Sequence, residues 1–387
     1  MPEEIIVGSD NKGDCRVILR SDGGSGLEIK ASNPKLFEPG IREVAEGLLA
    51  KLSPPPARMT IEEYGALDYV ISGRLEAAIR TAFPDLFPIQ PRVKRTPSLR
   101  NRLRRTRLYA PGNNPRVLVG IEIHGADCVL LDLEDSVPPT EKSAARILVK
   151  HLLATIDFPE VWVRINPLAT HGMEDLAEVM LGRPHGICLP KAESAKDVRD
   201  LVEELARLES ALGYELGTTL IMPIIETGNG ILHAEEIATA DPRVAVIAFG
   251  AEDYTRDVGA KRTQESLLFP RSMIVAAAAA GGIQASDTVY ADIDDEAGLI
   301  EETRRARNLG FAGKGAINPR QIGPIHSVFD PSEEEIEEAR KIVAAAQDAE
   351  KQGIGAIAIG GKMIDRPVLE RARRTLRLAG KIEEGAE

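Results

Sequence analysis

The chain has 387 residues, 43% hydrophobic and 28% charged, with a formal net charge of −12. That is the composition of a soluble globular protein with room for more than one domain, and its acidity argues against a general nucleic-acid binder, since phosphate contacts need clustered cations. No run approaches the ~18 consecutive apolar residues of a membrane span, and the acidic start MPEEIIVGSD lacks a signal peptide's basic region and apolar core, so a cytoplasmic protein is expected.

Residues 1–90 read as a small α+β domain. Cys15–Leu19 and Leu27–Lys30 look like strands, Pro39–Leu52 like a helix, and Ala66–Ser72 like a third strand leading through Gly73 into a helix over Arg74–Phe83. The unit has no His and few aromatics, so it is not expected to do chemistry alone. From Pro84 the composition changes: four prolines are followed by eight Lys/Arg between Arg92 and Arg107. Proline restricts the backbone and like charges repel, so residues 91–106 read as an extended basic linker, some of whose arginines are candidates for phosphate contacts.

Eight apolar runs follow: RLYAPG, CVLLDLEDS, VWVRINP, GICLPKAE, TLIMPIIETG, VAVIAFGAEDY, DTVYADI and GKGAINP, separated by helix-like segments such as Glu141 to Leu153 and Ala195 to Leu212. Continuous Val/Ile/Leu runs alternating with helices imply a parallel sheet, and eight units close a (β/α)8 TIM barrel, placed here over residues 107–325. Such barrels build their sites at the C-terminal ends of the strands. Those ends carry Glu134 and Asp135, Arg164, Glu226, and Glu252 and Asp253. Residues 326–387 form a C-terminal helical extension: Ser332 before three glutamates starts a helix to about Gln352, stopped at Gly353, and a last amphipathic helix follows Asp365. Cys15, Cys128 and Cys188 show no zinc-ligand spacing, and two of them lie in buried strands as small apolar residues.

Glu226 and Asp253, at the ends of adjacent strands, can converge on one cation. Two carboxylates plus waters and substrate oxygens suit Mg2+; the competing reading is that these acids cap the helices that follow. A buried Arg164 needs an anion, either a substrate carboxylate or enolate or a permanent partner in Glu134 or Asp135. Lys191 reads as a charge-pairing residue rather than a Schiff-base lysine.

The motifs LDLEDSV (131–137), EKSAAR (141–146), VRINP (163–167), LPKAE (189–193), IIETGNG (224–230), FGAEDY (249–254) and GKMIDRP (361–367) together resemble the citrate lyase β-subunit-like (HpcH/HpaI aldolase/citrate lyase) family. The resemblance runs from about Arg105 to Ala379. It implies a Mg2+-dependent carbon–carbon lyase that cleaves a 3-hydroxyacyl thioester into an acetyl thioester and a 2-oxo acid. It implies Glu226 and Asp253 as metal ligands and Arg164 as the substrate-binding arginine; Arg105 and Lys191 are read beside it as substrate-binding residues, and Glu134 and Asp135 as catalytic groups orienting water or Arg164. Asp365 is implied as a general acid/base reaching a neighbouring subunit's site, in a homo-oligomer of the trimer or hexamer kind.

PGIREVAEGLLAKL (39–52) and YGALDYVISGRLEAAI (64–79) resemble the citrate lyase acyl carrier (γ) subunit. Aligning Gly8 and Asp14 with that subunit's short motif puts Lys12 where the carrier bears its prosthetic group on a serine. The nearest hydroxyl is Ser9. An arm linked through a phosphodiester needs a hydroxyl, so a soluble CoA thioester of the malyl-CoA or citramalyl-CoA type is the expected substrate. The alternatives are citryl-acyl-carrier lyase activity and, from another class, an inactive scaffold or regulatory subunit.

Overall fold

The computed structural model describes residues 4–20, 24–351, 357–359 and 362–380. Its N-terminal part is a four-stranded sheet, β1 (Glu4–Gly8), β2 (Cys15–Arg20), β3 (Gly26–Lys30) and β4 (Arg58–Glu63), in the order β1-β2-β4-β3. The helices α1 (Pro34–Leu52) and α2 (Asp68–Ala82) cover it. Alternating residues Cys15, Val17 and Leu19 of β2 face the core with Met59 and Ile61 of β4.

Of Ala66–Ser72, expected as a strand, Asp68–Ser72 is the first part of α2, with Leu67 at its N-cap. Its Tyr-Val-Ile run buries two helical faces at once, one on the sheet and one on the barrel, so it lacks the exposed stripe that marks a surface helix. Gly73 is no break: a Cβ there would stand 3.0 Å from the Leu148 backbone, so the glycine lets two helices approach closely.

Eight parallel strands then close the expected barrel: β5 (Thr106–Pro111), β6 (Cys128–Asp132), β7 (Val161–Arg164), β8 (Gly186–Leu189), β9 (Leu220–Ile225), β10 (Val246–Phe249), β11 (Gln284–Asp287) and β12 (Gly313–Ala316), with β12 pairing back on β5. Six of the eight apolar runs contain their strand, and RLYAPG begins one residue inside β5, which starts at Thr106. The seventh is displaced: β11 precedes and ends on Asp287, and the rest of DTVYADI forms the loop beyond it. Trp162, Cys128, Cys188 and Met222 fill the barrel interior, and burial pushes both thiols up, away from reactivity.

The basic linker is extended but it is not a spacer. Arg104 is buried, donating to both carboxylate oxygens of Glu160 at 2.7 Å, and Arg95 donates to the carbonyls of Leu153, Ile156, Gly182 and Arg183. Those arginines are spent on strapping the chain beneath the barrel rather than on phosphates. After the barrel, Ser332 and Glu335 cap the helix Glu333–Lys351 reciprocally. Its expected stop at Gln352 and Gly353 lies outside the described residues. Asp365 caps the terminal helix Arg366–Leu378, accepting from the Val368 amide at 3.2 Å.

The two domains are joined by a buried charge cluster. Lys150, on the barrel helix Lys142–Thr155, donates to Glu76 of α2 and to Glu178, both at 2.6 Å, and His151 bonds the other Glu76 oxygen at 2.6 Å. Burial works against the Glu76 charge, but the His151 hydrogen bond and the Lys150 ammonium hold its pKa at about 2. Removing one member of a buried ion cluster leaves its partners uncompensated, so Glu76→Ala should cost about 3–5 kcal/mol in chemical denaturation. A folded-state pKa lowered from 4.5 gives stability that is full above 4.5 and fades as pH falls toward about 2. The gap between wild type and variant should therefore close over that window; a gap that ignores pH would contradict an ionised Glu76.

Candidate active site

At the C-terminal mouth of the barrel a cavity of about 460 Å³ opens between Tyr109, Asp132, Arg164, Glu226, Asp253 and Asp287. The register of β6 against β7 places Asp132 directly opposite Arg164. Arg164 donates through Nε and Nη2 to the two Asp132 oxygens at 2.7 and 2.8 Å and lies 5.5 Å over the Tyr109 ring. Its remaining nitrogen, Nη1, faces Glu134 at 3.0 Å and Asp135 at 3.6 Å. Burial opposes both charges of the main pair. The hydrogen-bonded contact overrides it, keeping Asp132 below the usual carboxylate range and Arg164 permanently cationic.

Sequence reasoning missed Asp132. LDLED offers three acids, and only the strand register distinguishes the one that grips Arg164. Ser136, which donates to Asp132 through both backbone and hydroxyl, and Tyr109 escaped with it.

Lys191 holds Glu134 from the other side, Nζ to Oε1 at 2.8 Å, and sits at φ 51, a left-handed conformation rare for a residue with a Cβ. Its own amide donates to Glu226 Oε1 at 2.8 Å, so the LPKAE turn ties Glu134 to Glu226. Glu226 is almost fully buried, and that burial, with Asp253 and Glu134 alongside, pushes its pKa up to about 8. Gly250 makes room for it: a Cβ there would stand 2.6 Å from Glu226 Oε2. Asp253, in the first turn of the helix Ala251–Asp257, is partly exposed and paired at 2.5 Å with the solvent-facing Arg256. Below them Asp287 closes the floor, held by Arg271 and by Lys314.

The structure thus brings together Arg164, Glu134, Asp135, Lys191, Glu226 and Asp253. Glu252 also lines the cavity and pairs with Arg262 at 2.8 Å. Arg105 does not join the site and is withdrawn as a substrate contact. It precedes β5, at the opposite end of the barrel, where it binds Asp127 through both Nε and Nη2 and reaches Asp330 at 2.5 Å. Asp365 does not line its own chain's cavity.

Among the described residues no group of three or more His, Cys, Asp or Glu forms a metal cage. What the mouth offers is a two-carboxylate set of oxygen donors. A carboxylate pushed up first by burial and then by a neighbouring carboxylate is short of positive charge, and this fits a hard cation that keeps most of its own waters.

Residues 105–319 match the family model HpcH/HpaI aldolase/citrate lyase. The chain belongs to that family. Residues 3–82 match the model for the malonate decarboxylase delta subunit (MdcD), an acyl-carrier-like domain. The citrate lyase subunit beta of Haemophilus influenzae is 42% identical over 283 residues, covering 72% of this chain and 97% of the relative. The mitochondrial citramalyl-CoA lyase of Homo sapiens is 35% identical over 296 residues, covering 73% of this chain and 87% of that protein. Among solved structures, CitE from Mycobacterium tuberculosis in complex with magnesium, acetoacetate and coenzyme A is similar at 34% identity and a TM-score of 0.61, covering 73% of this chain and all of that one. The family's named members are carbon–carbon lyases, and the chain is an enzyme of that class. No helix among the described residues is long and apolar enough to cross a membrane.

A carboxylate whose pKa is raised from 4.5 to about 8 destabilises the fold increasingly as pH rises from 4.5 toward 8, because the folded state disfavours its charge. Without divalent cations, Glu226→Gln should therefore be more stable than wild type near neutrality, by about 1–4 kcal/mol in urea denaturation. Mg2+ should raise the melting temperature of wild type and leave the variant unmoved. A variant less stable than wild type in chelator would show that the charge of Glu226 is already satisfied.

Proposed function

We propose that the chain is a Mg2+-dependent lyase that cleaves a soluble 3-hydroxyacyl-CoA thioester, of the malyl-CoA or citramalyl-CoA type, to acetyl-CoA and a 2-oxo acid. The observation that carries this reading is the pairing, across one cavity, of the Glu226–Asp253 carboxylates with the caged cation Arg164. The named relatives and the magnesium and coenzyme A of the CitE complex support the chemistry. A citrate lyase subunit beta activity is the runner-up.

Breaking the bond requires removal of the proton on the 3-hydroxyl, support for that oxygen as it becomes a ketone, and a cation for the thioester enolate that departs. Mg2+, held by Glu226 and Asp253, would supply Lewis-acid polarisation of the hydroxyl and the adjacent carboxylate. With two guanidinium nitrogens committed to Asp132, Arg164 presents Nη1 as a fixed donor to the enolate. Because it is already oriented and partly dry, little reorganisation is needed as charge develops. Glu134, between Arg164 and Lys191, fixes that nitrogen's direction. Asp365 of a neighbouring subunit is the proton shuttle in this reading, which makes the active species a homo-oligomer, a trimer or hexamer.

Turnover of citramalyl-CoA, malyl-CoA and citryl-CoA tests the substrate. Cleavage of citryl-CoA alone would move the reading to citrate lyase. Arg164→Lys retains charge but cannot grip Asp132 with a fork, so kcat should fall at least ~100-fold, the scale of one lost transition-state donor; near-normal activity would reduce Arg164 to a point charge. Mixing Asp365→Ala chains with Arg164→Ala chains, each inactive, should restore activity through sites holding Arg164 from one chain and Asp365 from the other. Exchange of subunits without recovery would remove Asp365 from the mechanism.

A further inference from the structure

A second cavity, of about 590 Å³, lies in the seam between the two domains. One wall is the Gly8–Gly13 loop, with Ser9, Asn11 and Lys12; the other is the barrel segment around Asn113 and Arg116. Pro111 and Ser136 line both this cavity and the one holding Arg164 and Glu226, so the two spaces adjoin at the barrel mouth across a shared wall.

The loop is built rigidly. Gly8 (φ 88) has its α-carbon so close to the Cys15 carbonyl that a Cβ would stand 2.0 Å from the oxygen. Buried Asp14 accepts from the Ser9 amide and hydroxyl, the Cys15 amide, and Nε and Nη2 of Arg74, all between 2.8 and 3.2 Å. Arg74 also donates to the Asn113 carbonyl at 2.9 Å, which fastens the loop to the barrel. Together with the Glu76–Lys150 cluster, these bonds fix the domain in place.

The charges in this cavity are unevenly satisfied. Asp14 is neutralised by Arg74, whereas Glu141, at the edge of the cavity, accepts from the Asn113 side-chain Nδ2 at 2.6 Å and keeps its charge. Lys12 and Arg116 have no carboxylate partner among the described residues, although the chain as a whole is strongly acidic. A Cβ on Gly13, next to Lys12, would lie 3.5 Å from the Arg116 α-carbon, so the backbones carrying these two exposed cations meet at one place. Two unpaired cations where a rigid loop meets a polar seam suit an anion with several oxygens.

We infer that the acyl-carrier-like domain has become a fixed binding wall for the substrate, with Lys12 and Arg116 holding a phosphate of the phosphopantetheine-bearing arm while the acyl end lies in the barrel cavity. In a carrier the arm is bonded to the domain. Here a lysine at the attachment position holds a soluble arm by charge, and Ser9, the nearest hydroxyl, is bonded to Asp14. The inference rests on the thioester reading of the barrel, but it concerns binding and is tested apart from turnover.

The test is calorimetric titration of the full-length protein, wild type, Lys12→Ala and Lys12→Arg, with coenzyme A and with pantetheine, which lacks phosphate. Coenzyme A should bind wild type and Lys12→Arg alike and Lys12→Ala about tenfold more weakly, with pantetheine indifferent to the substitution. The KM for a cleaved CoA thioester should rise in Lys12→Ala by a similar factor. Failure of wild type to bind coenzyme A, or equal affinity in Lys12→Ala, overturns the inference and leaves the lyase assays unaffected. Lys12-dependent binding without cleavage of any thioester sustains the phosphate site and sinks the proposed reaction instead. Intact-mass measurement on the protein from its native cell should show no added group; a surplus mapping to the Ser9 peptide would restore the covalent carrier and overturn the wall.

Discussion

The mouth of the barrel is organised around one buried cation. Arg164 ends β7 with little access to water, where a lone guanidinium is costly, and the register of β6 supplies Asp132 opposite it. Once Asp132 takes Nε and Nη2, the third nitrogen can point only along the rim, toward Glu134. Glu134 is then drawn between Arg164 and Lys191, and the strained turn that carries Lys191 donates its amide to Glu226. Four successive strand ends are thereby linked, and the second carboxylate group is held across the cavity from the first.

The two acidic groups behave oppositely for that reason. Asp132 lies against a cation and is held low, whereas Glu226 is buried beside Asp253 and is pushed up to about 8. Segregation of this kind pulls the pKa values of similar side chains apart and marks functional clefts. It also sets the Arg164 guanidinium on one side of the cavity and the Glu226–Asp253 carboxylates, suited to a divalent cation, on the other. Asp287 does not blur that division, because Arg271 and Lys314 neutralise it.

Much of this was legible in the sequence because a charge at the end of an apolar run is conspicuous: Arg164 after VWV and Glu226 after IMPII announce themselves. The barrel was legible for the related reason that doubly buried strands are continuous apolar runs. What depends on pairing was not. Choosing Asp132 from LDLED requires the β6–β7 register, and the strand ending at Asp287 reads weakly because Gln284, Ala285 and Ser286 lack the usual bulk. In the N-terminal domain, Ala66–Ser72 has strand-like composition, and its helix exists because two surfaces bury it. The linker arginines resemble a phosphate patch until Glu160 and the carbonyls they bind are seen. Neither signal is local, so no window of sequence contains it.

Locating the divalent cation decides whether Glu226 and Asp253 hold a metal opposite Arg164. Crystals of the full-length protein grown with Mn2+ in place of Mg2+, together with a 2-oxo acid, would show the ion by anomalous scattering. A single strong peak is expected at the barrel mouth, bound by Glu226 and Asp253, with the 2-oxo acid between it and Nη1 of Arg164. An ion held elsewhere, or a 2-oxo acid bound at Arg164 with no ion at these carboxylates, would contradict that placement.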